Sequence, residues 1–453
     1  MNRILQSDTN LWMFNCVSPT TNKICTLRQA MLIDYPKLRP IEIFPVEAEG
    51  RQLLCLRDAF QYVSEPIFVP REVLPILQYF DGQHSIVDIQ AEYARKTGEI
   101  LFSNVITKIA EELDAHLMMD SEKFREYRQE LEREVREQKT RPAAHAGSAY
   151  PSDADELKAQ LTGYFQPPEG PGLPNAPAEP DNALVGVIAP HIDLRRGGSC
   201  FAHAYKEIAE RSAAEIFVIL GVKHTGGNGM YTATYKDFET PLGAVKTDTD
   251  FIDLIRQHYG GDLLEDEFFH RNEHSIEFQA VFLQSLFGES RRFQIVPIIC
   301  NSFDSLLING KPPRDEPLVQ GFIEGLKRAI EACDASVCII ASVDLSHIGS
   351  RFGDGFRLDT PALQRIRASD LEMLGAVERR DSGAFLETIQ RTKNRQRVDG
   401  VCPIYTLLET LNPAAGKLLR YEQGLEPEAN SVVTFASMGF FCVKRDSRRF
   451  SRE

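Results

Sequence analysis

The sequence predicts an α/β protein, a mixed or parallel sheet covered by helices on both faces, with a small and mostly helical domain ahead of it. Three observations point there. After residue 183, short apolar runs alternate with helical patterns: "LVGVIAP" precedes "GGSCFAHAYKEIAER", and "EIFVILG", "FQIVPIIC", the amphipathic "VQGFIEGLKRAIEAC" and "SVCIIASVDLSH" follow. Runs of that length between helices suit strands buried on both faces. Ahead of them, apolar residues recur at helical spacing, and "DSEKFREYRQELEREVREQKT" at 120–140 is almost wholly charged, an exposed helix joining two units.

Along the chain, residues 1–30 show little periodicity and are expected to lack fixed structure. From "IEIFPVEAEGRQLLCLRD", strand-like runs lead to a helix on which Val73, Ile76, Leu77 and Phe80 share a face, closed at Asp81-Gly82. Ser85 heads a second helix with Ile86, Ile89 and Tyr93, and a third runs through "NVITKIAEELDAHLMM". The expected small domain covers 31–120, and a charged helical linker covers 121–145. The large domain spans 146–443, with the proline-rich loop "QPPEGPGLPNAPAEPDN" near its start. Residues 444–453, with five basic side chains, form a tail.

With 65 acidic against 51 basic residues the net charge is −14, which argues against broad attraction to nucleic acid or an anionic membrane. No run approaches the ~18 apolar residues of a membrane helix. The start, "MNRILQSDTNLWMF", lacks the apolar core of a secretory signal. Nine cysteines without a CxxC pair read as reduced core residues, as in a cytoplasmic protein.

Ligands in such folds lie beyond the carboxyl ends of the strands. His191 follows "VGVIAP", His224 follows "IFVILGVK", and Asp344, Ser346 and His347 follow "VCIIASV". A fourth element, "FHRNEHSIEFQAVFLQSLF", gathers Glu273, His274 and Glu277 where a helix begins, with Asn272 as its expected cap. Imidazoles from separate strand ends, with carboxylates nearby, suit a divalent or redox metal: iron or copper first, zinc as the other choice. Gly197 and Gly198 are expected to precede a helix whose amides face an anion. Neither this pair nor the later "HTGGNG" matches the dinucleotide fingerprint, which excludes a nicotinamide reading.

Taken together and in this order, "AGSAYPSD", "APHIDLRRGGSCFAHAYK", "LGVKH", "NEHSIEFQ" and "SVDLSHIG" resemble the Memo family, whose bacterial members are known as AmmeMemoRadiSam system protein B. The resemblance covers roughly residues 141–443. It implies a fold similar to class III extradiol dioxygenases, which hold non-haem iron with histidines and a carboxylate. It places His191, His224 and His274 in a pocket, and Ser346 where animal relatives carry a metal-binding cysteine. Asp399 and Gly400 stand in place of a later Cys-Gly, and Gln279 in place of a further histidine. The expected metal ligands are His191, His224 and Ser346, and the expected catalytic groups are His274, Glu273, Asp344 and His347.

The function so implied is a metal-dependent oxidoreductase-like component of a radical SAM-associated modification system, with the radical SAM protein as partner. The alternative is a noncatalytic peptide- or partner-binding protein with a vestigial site. The "DG…S…I" junction of the first domain resembles PqqD-like, winged-helix-type modules, which implies a peptide or protein partner for it. Hydrolysis by Ser346 with His347 is disfavoured, because adjacent residues of an extended strand face opposite ways.

Overall fold

A computed structural model describes residues 34–48, 50–176, 182–288, 290–411 and 414–443. The expectations for residues 1–30 and for the 444–453 tail lie outside the described residues. The chain divides into two compact units, the first ending at Arg136 and the second beginning at Glu137.

The first unit contains β1 (Ile41–Ala48), β2 (Arg51–Asp58), β3 (Ile67–Pro70), α1 (Leu74–Leu77), α2 (Ile86–Thr97), α3 (Ser103–Ala115) and α4 (Glu122–Glu137). The strands form one antiparallel sheet in sequence order. Ser85 caps α2 in a reciprocal capping box with Asp88, and Gly98 ends it in the left-handed conformation. The helix expected over 73–80 is only a 3-10 turn at Arg71–Val73 followed by the four-residue α1, although Val73, Ile76, Leu77 and Phe80 are all buried. The charged segment is helical and packs on this unit: Phe124 is buried under Arg39, and the Tyr62 hydroxyl donates to Glu132 at 2.7 Å.

In the second unit come β4 (Thr140–Arg141), α5 (Ala154–Gly163), β5 (Asn182–Ala189), α6 (Leu194–Arg211), β6 (Ile216–Val222), β7 (Tyr231–Ala233), β8 (Asp237–Phe238) and β9 (Lys246–Thr247). Then follow α7 (Thr249–Tyr259), α8 (His274–Phe287), β10 (Gln294–Cys300), α9 (Asp304–Ile308), α10 (Pro317–Ala332), β11 (Val337–Ser342) and β12 (His347–Gly349). The chain closes with α11 (Thr360–Glu378), α12 (Ser382–Thr392), α13 (Val401–Thr410), β13 (Ala414–Glu426) and β14 (Ser431–Val443).

The large sheet is mixed. Its path is β12-β14-β5-β11-β6-β10-β7, with β13 added to β14 and β9 to β10. The middle four strands, β5, β11, β6 and β10, are parallel, and β14 runs antiparallel beside β5. Every residue of β6 is buried, and its side chains alternate between two layers. Phe217 stacks on Phe287 of α8, while Ile216, Val218, Leu220 and Val222 join a core with residues of α7, α10 and α13. Helices therefore cover both faces, and the C-terminal ends of the parallel strands are the edge at which polar groups can gather.

Candidate metal centre

His191 lies just past β5 and His224 just past β6, so parallel neighbours of β11 deliver both rings to the same edge. His274 opens α8. One ligand atom from each of these three histidines lies within 4.8 Å of the others. A fourth imidazole, His347, starts β12.

The Nε2 atoms of His191, His347 and His224 lie 3.2, 3.8 and 3.9 Å from one oxygen, Oδ2 of Asp399. The Nδ1 side of each ring is committed elsewhere. His191 Nδ1 is 3.0 Å from the Ser342 carbonyl, His224 Nδ1 is 3.0 Å from Glu273 Oε1, and His347 Nδ1 is 3.1 Å from the Leu345 and Arg397 carbonyls. Carbonyl and carboxylate partners accept from Nδ1–H, so in the neutral form of each ring the nitrogen left to face Asp399 with its lone pair is Nε2.

Glu273 does two further things. Its carboxylate accepts the His224 amide at 3.1 Å and the Ser275 amide at 2.9 Å, making Glu273 rather than Asn272 the N-cap of α8. Asp344 anchors the other side, accepting the amides of His191 and Ile192 at 3.1 and 3.2 Å.

The electrostatics follow from burial and charge. Burial disfavours the His224 and His191 cations, yet Glu273 with Asp399 lifts the first well above its ordinary pKa, and Asp344 with Asp399 raises the second. Burial lowers His274 well below the imidazole range despite Glu273 beside it. Burial would raise Glu273, but His224 outweighs it and holds the carboxyl far down. Burial pushes Asp344 up against the pull of His191.

Ser346 is placed otherwise than its expected ligand role requires. Its hydroxyl donates to Asp370 Oδ1 of α11 at 2.6 Å, while Thr434 and Tyr421 donate to Oδ2 at 2.7 and 2.8 Å. Asp370 is a buried carboxylate that needs those donors, and the serine proton serves it. Gln279 is also committed: its amide donates to the Pro190 carbonyl and Ser342 Oγ at 2.8 and 2.7 Å, fixing the strand end before His191. Gly197 and Gly198 lie within α6, not ahead of it. Cβ atoms there would come 2.4 Å from Ile192 and Tyr164, so these glycines serve close packing.

Asp399 is the oxygen donor that strand-end reasoning passed over. It precedes α13, whose N-cap Gly400 packs against Val343 so closely that a Cβ would lie 2.5 Å from the valine Cβ. A buried pair supports the opposite wall. Arg141 donates to Glu277, to the His270 carbonyl at 2.8 Å and to the Glu273 carbonyl at 3.0 Å. The amides of Ala144 and His145 and the Tyr150 hydroxyl also donate to Glu277, which ties the 141–150 segment to α8.

Three imidazole Nε2 atoms around a carboxylate are a donor set for a borderline divalent ion. The other carboxylate oxygen, Asp399 Oδ1, is buried without a hydrogen-bond partner. An unsatisfied buried oxygen beside histidine lone pairs fits a bound cation.

Fold and site together define an α/β protein with a histidine-and-carboxylate pocket at the strand ends of a mixed sheet. The chain belongs to the Memo-like protein family, whose description matches residues 141–439. It is 29% identical over 382 residues to a MEMO1 family protein of Aquifex aeolicus, covering 84% of this chain and 94% of the relative. That match is longer than the whole second unit and so reaches into the first. A MEMO1 family protein of Methanopyrus kandleri is 35% identical over 306 residues, 66% of this chain and 98% of the relative. Among the described residues, no helix is long and apolar enough to cross a membrane.

Proposed function

We propose that the pocket holds one divalent or redox-capable metal ion, iron or copper before zinc, and that the protein is a metal-dependent oxidoreductase-like component of a radical SAM-associated modification system. One observation carries the metal reading: three Nε2 atoms face Asp399, whose second oxygen is buried and unpartnered. His191, His224 and Asp399 would be the ligands. A bound ion would supply an electrophilic centre, redox-active where the ion is iron or copper. The chain's own groups have distinct tasks. Glu273 fixes the ring of His224, Asp344 fixes the backbone of His191, and His274, kept neutral by burial, lends the rim an uncharged imidazole. The similarity of the motifs to bacterial family members supports the radical SAM partner and the likeness to extradiol dioxygenases.

A second reading concerns the first unit, as a PqqD-like module that takes a peptide or protein. The face of its sheet opposite the core carries Phe44 and Phe68, 36% and 48% exposed, and these flank Cys55 across the three strands.

Elemental analysis tests the metal reading on protein purified without chelator or nickel. About one equivalent is expected in the wild type. His191→Ala, His224→Ala and Asp399→Asn should each lose most of it. Equal metal content in all four proteins would overturn the assignment.

A further inference from the structure

A second cleft, of about 450 Å³, lies between α11 and the segment that leaves α12. Four basic side chains line it, Arg365, Arg391, Lys393 and Arg395, and no acidic one does. In a chain of net charge −14 this is a local reversal of sign. Two of the four answer to local structure. Arg391 pairs with Glu372 at 2.7 Å, and Lys393 sits at the C-terminal end of α12, where a cation is favoured. Arg365 and Arg395 come from separate elements and have no ion-pair partner among the described residues.

The lining has an apolar side as well. Ala362 and Ile366 are buried there, and the Phe356 ring is 48% exposed beside them. Ser369 donates to Gln396 Oε1 at 2.6 Å, which leaves the Gln396 amide nitrogen as a further donor on a lining residue.

We propose that this cleft binds a small anion with an apolar body, a carboxylate or a phosphate monoester, through Arg365, Arg395 and the Gln396 amide. The same segment has non-glycine residues at positive φ, Lys393 at 51°, Asn394 at 46° and Arg397 at 52°, a costly backbone held by its surroundings. It also reaches the metal centre. The Gln396 carbonyl accepts the His347 amide at 2.7 Å, Arg397 clamps Asp354 at 2.9 and 3.0 Å, and Asp399 follows two residues on. An anion seated on Arg395 thus bears on the loop that orients His347 and carries Asp399.

The binding claim does not rest on the metal reading, so it is tested on protein dialysed free of metal. Phenyl phosphate, benzoate and neutral benzyl alcohol are titrated into the full chain by calorimetry. At least one of the two anions should bind saturably and benzyl alcohol should not; the tighter anion tells phosphate from carboxylate. Arg365→Gln and Arg395→Gln, with unchanged circular dichroism, should each weaken that binding by about tenfold or more, the loss of a charge-assisted contact. Arg292→Gln serves as control, because Arg292 lines a separate basic recess with Lys246 and Arg291 and should leave the affinity unchanged. Absence of saturable anion binding, or equal affinities in wild type, Arg365→Gln and Arg395→Gln, would overturn the proposal. So would an equal loss in Arg292→Gln, which would mean general charge screening.

Discussion

Asp399 Oδ2 lies 3.2 Å from His191 Nε2, across 208 positions of sequence, and no other carboxylate oxygen comes so near that atom among the described residues. A residue from the segment before a helix thereby meets one from a strand end.

Exchanging that carboxylate should change both affinity and preference. Asp399→Asn keeps the shape and removes the charge, and metal affinity should fall by about tenfold or more. Asp399→Cys offers a thiolate and should favour zinc or copper(I) over iron. Competition against a chromophoric chelator measures both, and affinities equal to wild type would remove Asp399 from the centre.

Ser346→Cys should leave metal affinity as it is, because the hydroxyl serves Asp370. Stability should fall by about 1–3 kcal/mol in urea unfolding, since a thiol is a poor donor to a buried carboxylate. Tighter metal binding in this variant would restore Ser346 to the ligand set.

Much of this site is legible in the sequence, and the exceptions share a cause. His191, His224, Asp344 and His347 follow apolar strand runs, and Glu273 with His274 opens a recognisable helix, so local pattern finds them. Asp399 follows the polar stretch "RTKNRQRV" with no strand before it; only its place against the family's Cys-Gly marks it. Ser346 misleads because its partner Asp370 is 24 residues away on another element. Residues 141–145 read as the end of a linker because nothing local announces that Arg141, Tyr150 and Glu277 form one buried network. In the first unit the apolar spacing around 73–80 identifies core residues correctly and still overstates the length of the helix.

The Arg141–Glu277 pair is 1% and 0% exposed. Glu277→Gln should destabilise the second unit by about 3–5 kcal/mol, since it leaves a buried guanidinium without its counter-ion. For the same reason a fragment of residues 137–453 should unfold at distinctly higher urea than one of residues 146–453, which lacks Arg141. Coincident midpoints would show that the 141–150 segment is dispensable.

His270 sets a pH dependence. It is buried, its Nε2 bonded to the Thr232 carbonyl at 2.9 Å, and burial lowers its pKa from 6.5 to about 4. The unfolded chain takes up this proton first as pH falls. Stability that is full above about pH 6.5 should decline until about pH 4, by about 3 kcal/mol in all. His270→Gln should remove that decline, as judged from urea midpoints at about pH 7 and about pH 4.5. A variant with the wild-type slope would assign the effect to other groups.

Gly400 gives the centre a particular kind of evolvability. With Val343 where a Cβ would have to go, position 400 admits no side chain unless the backbone moves, and that backbone carries Asp399. Position 399 itself ends in a pocket where oxygen, sulfur or nitrogen can face the same imidazoles. The socket is fixed and the tip is interchangeable. On the proposed metal reading, a lineage can therefore retune which ion it prefers by one substitution at 399 without renegotiating the sheet, whereas a single methyl at 400 would disturb every version alike.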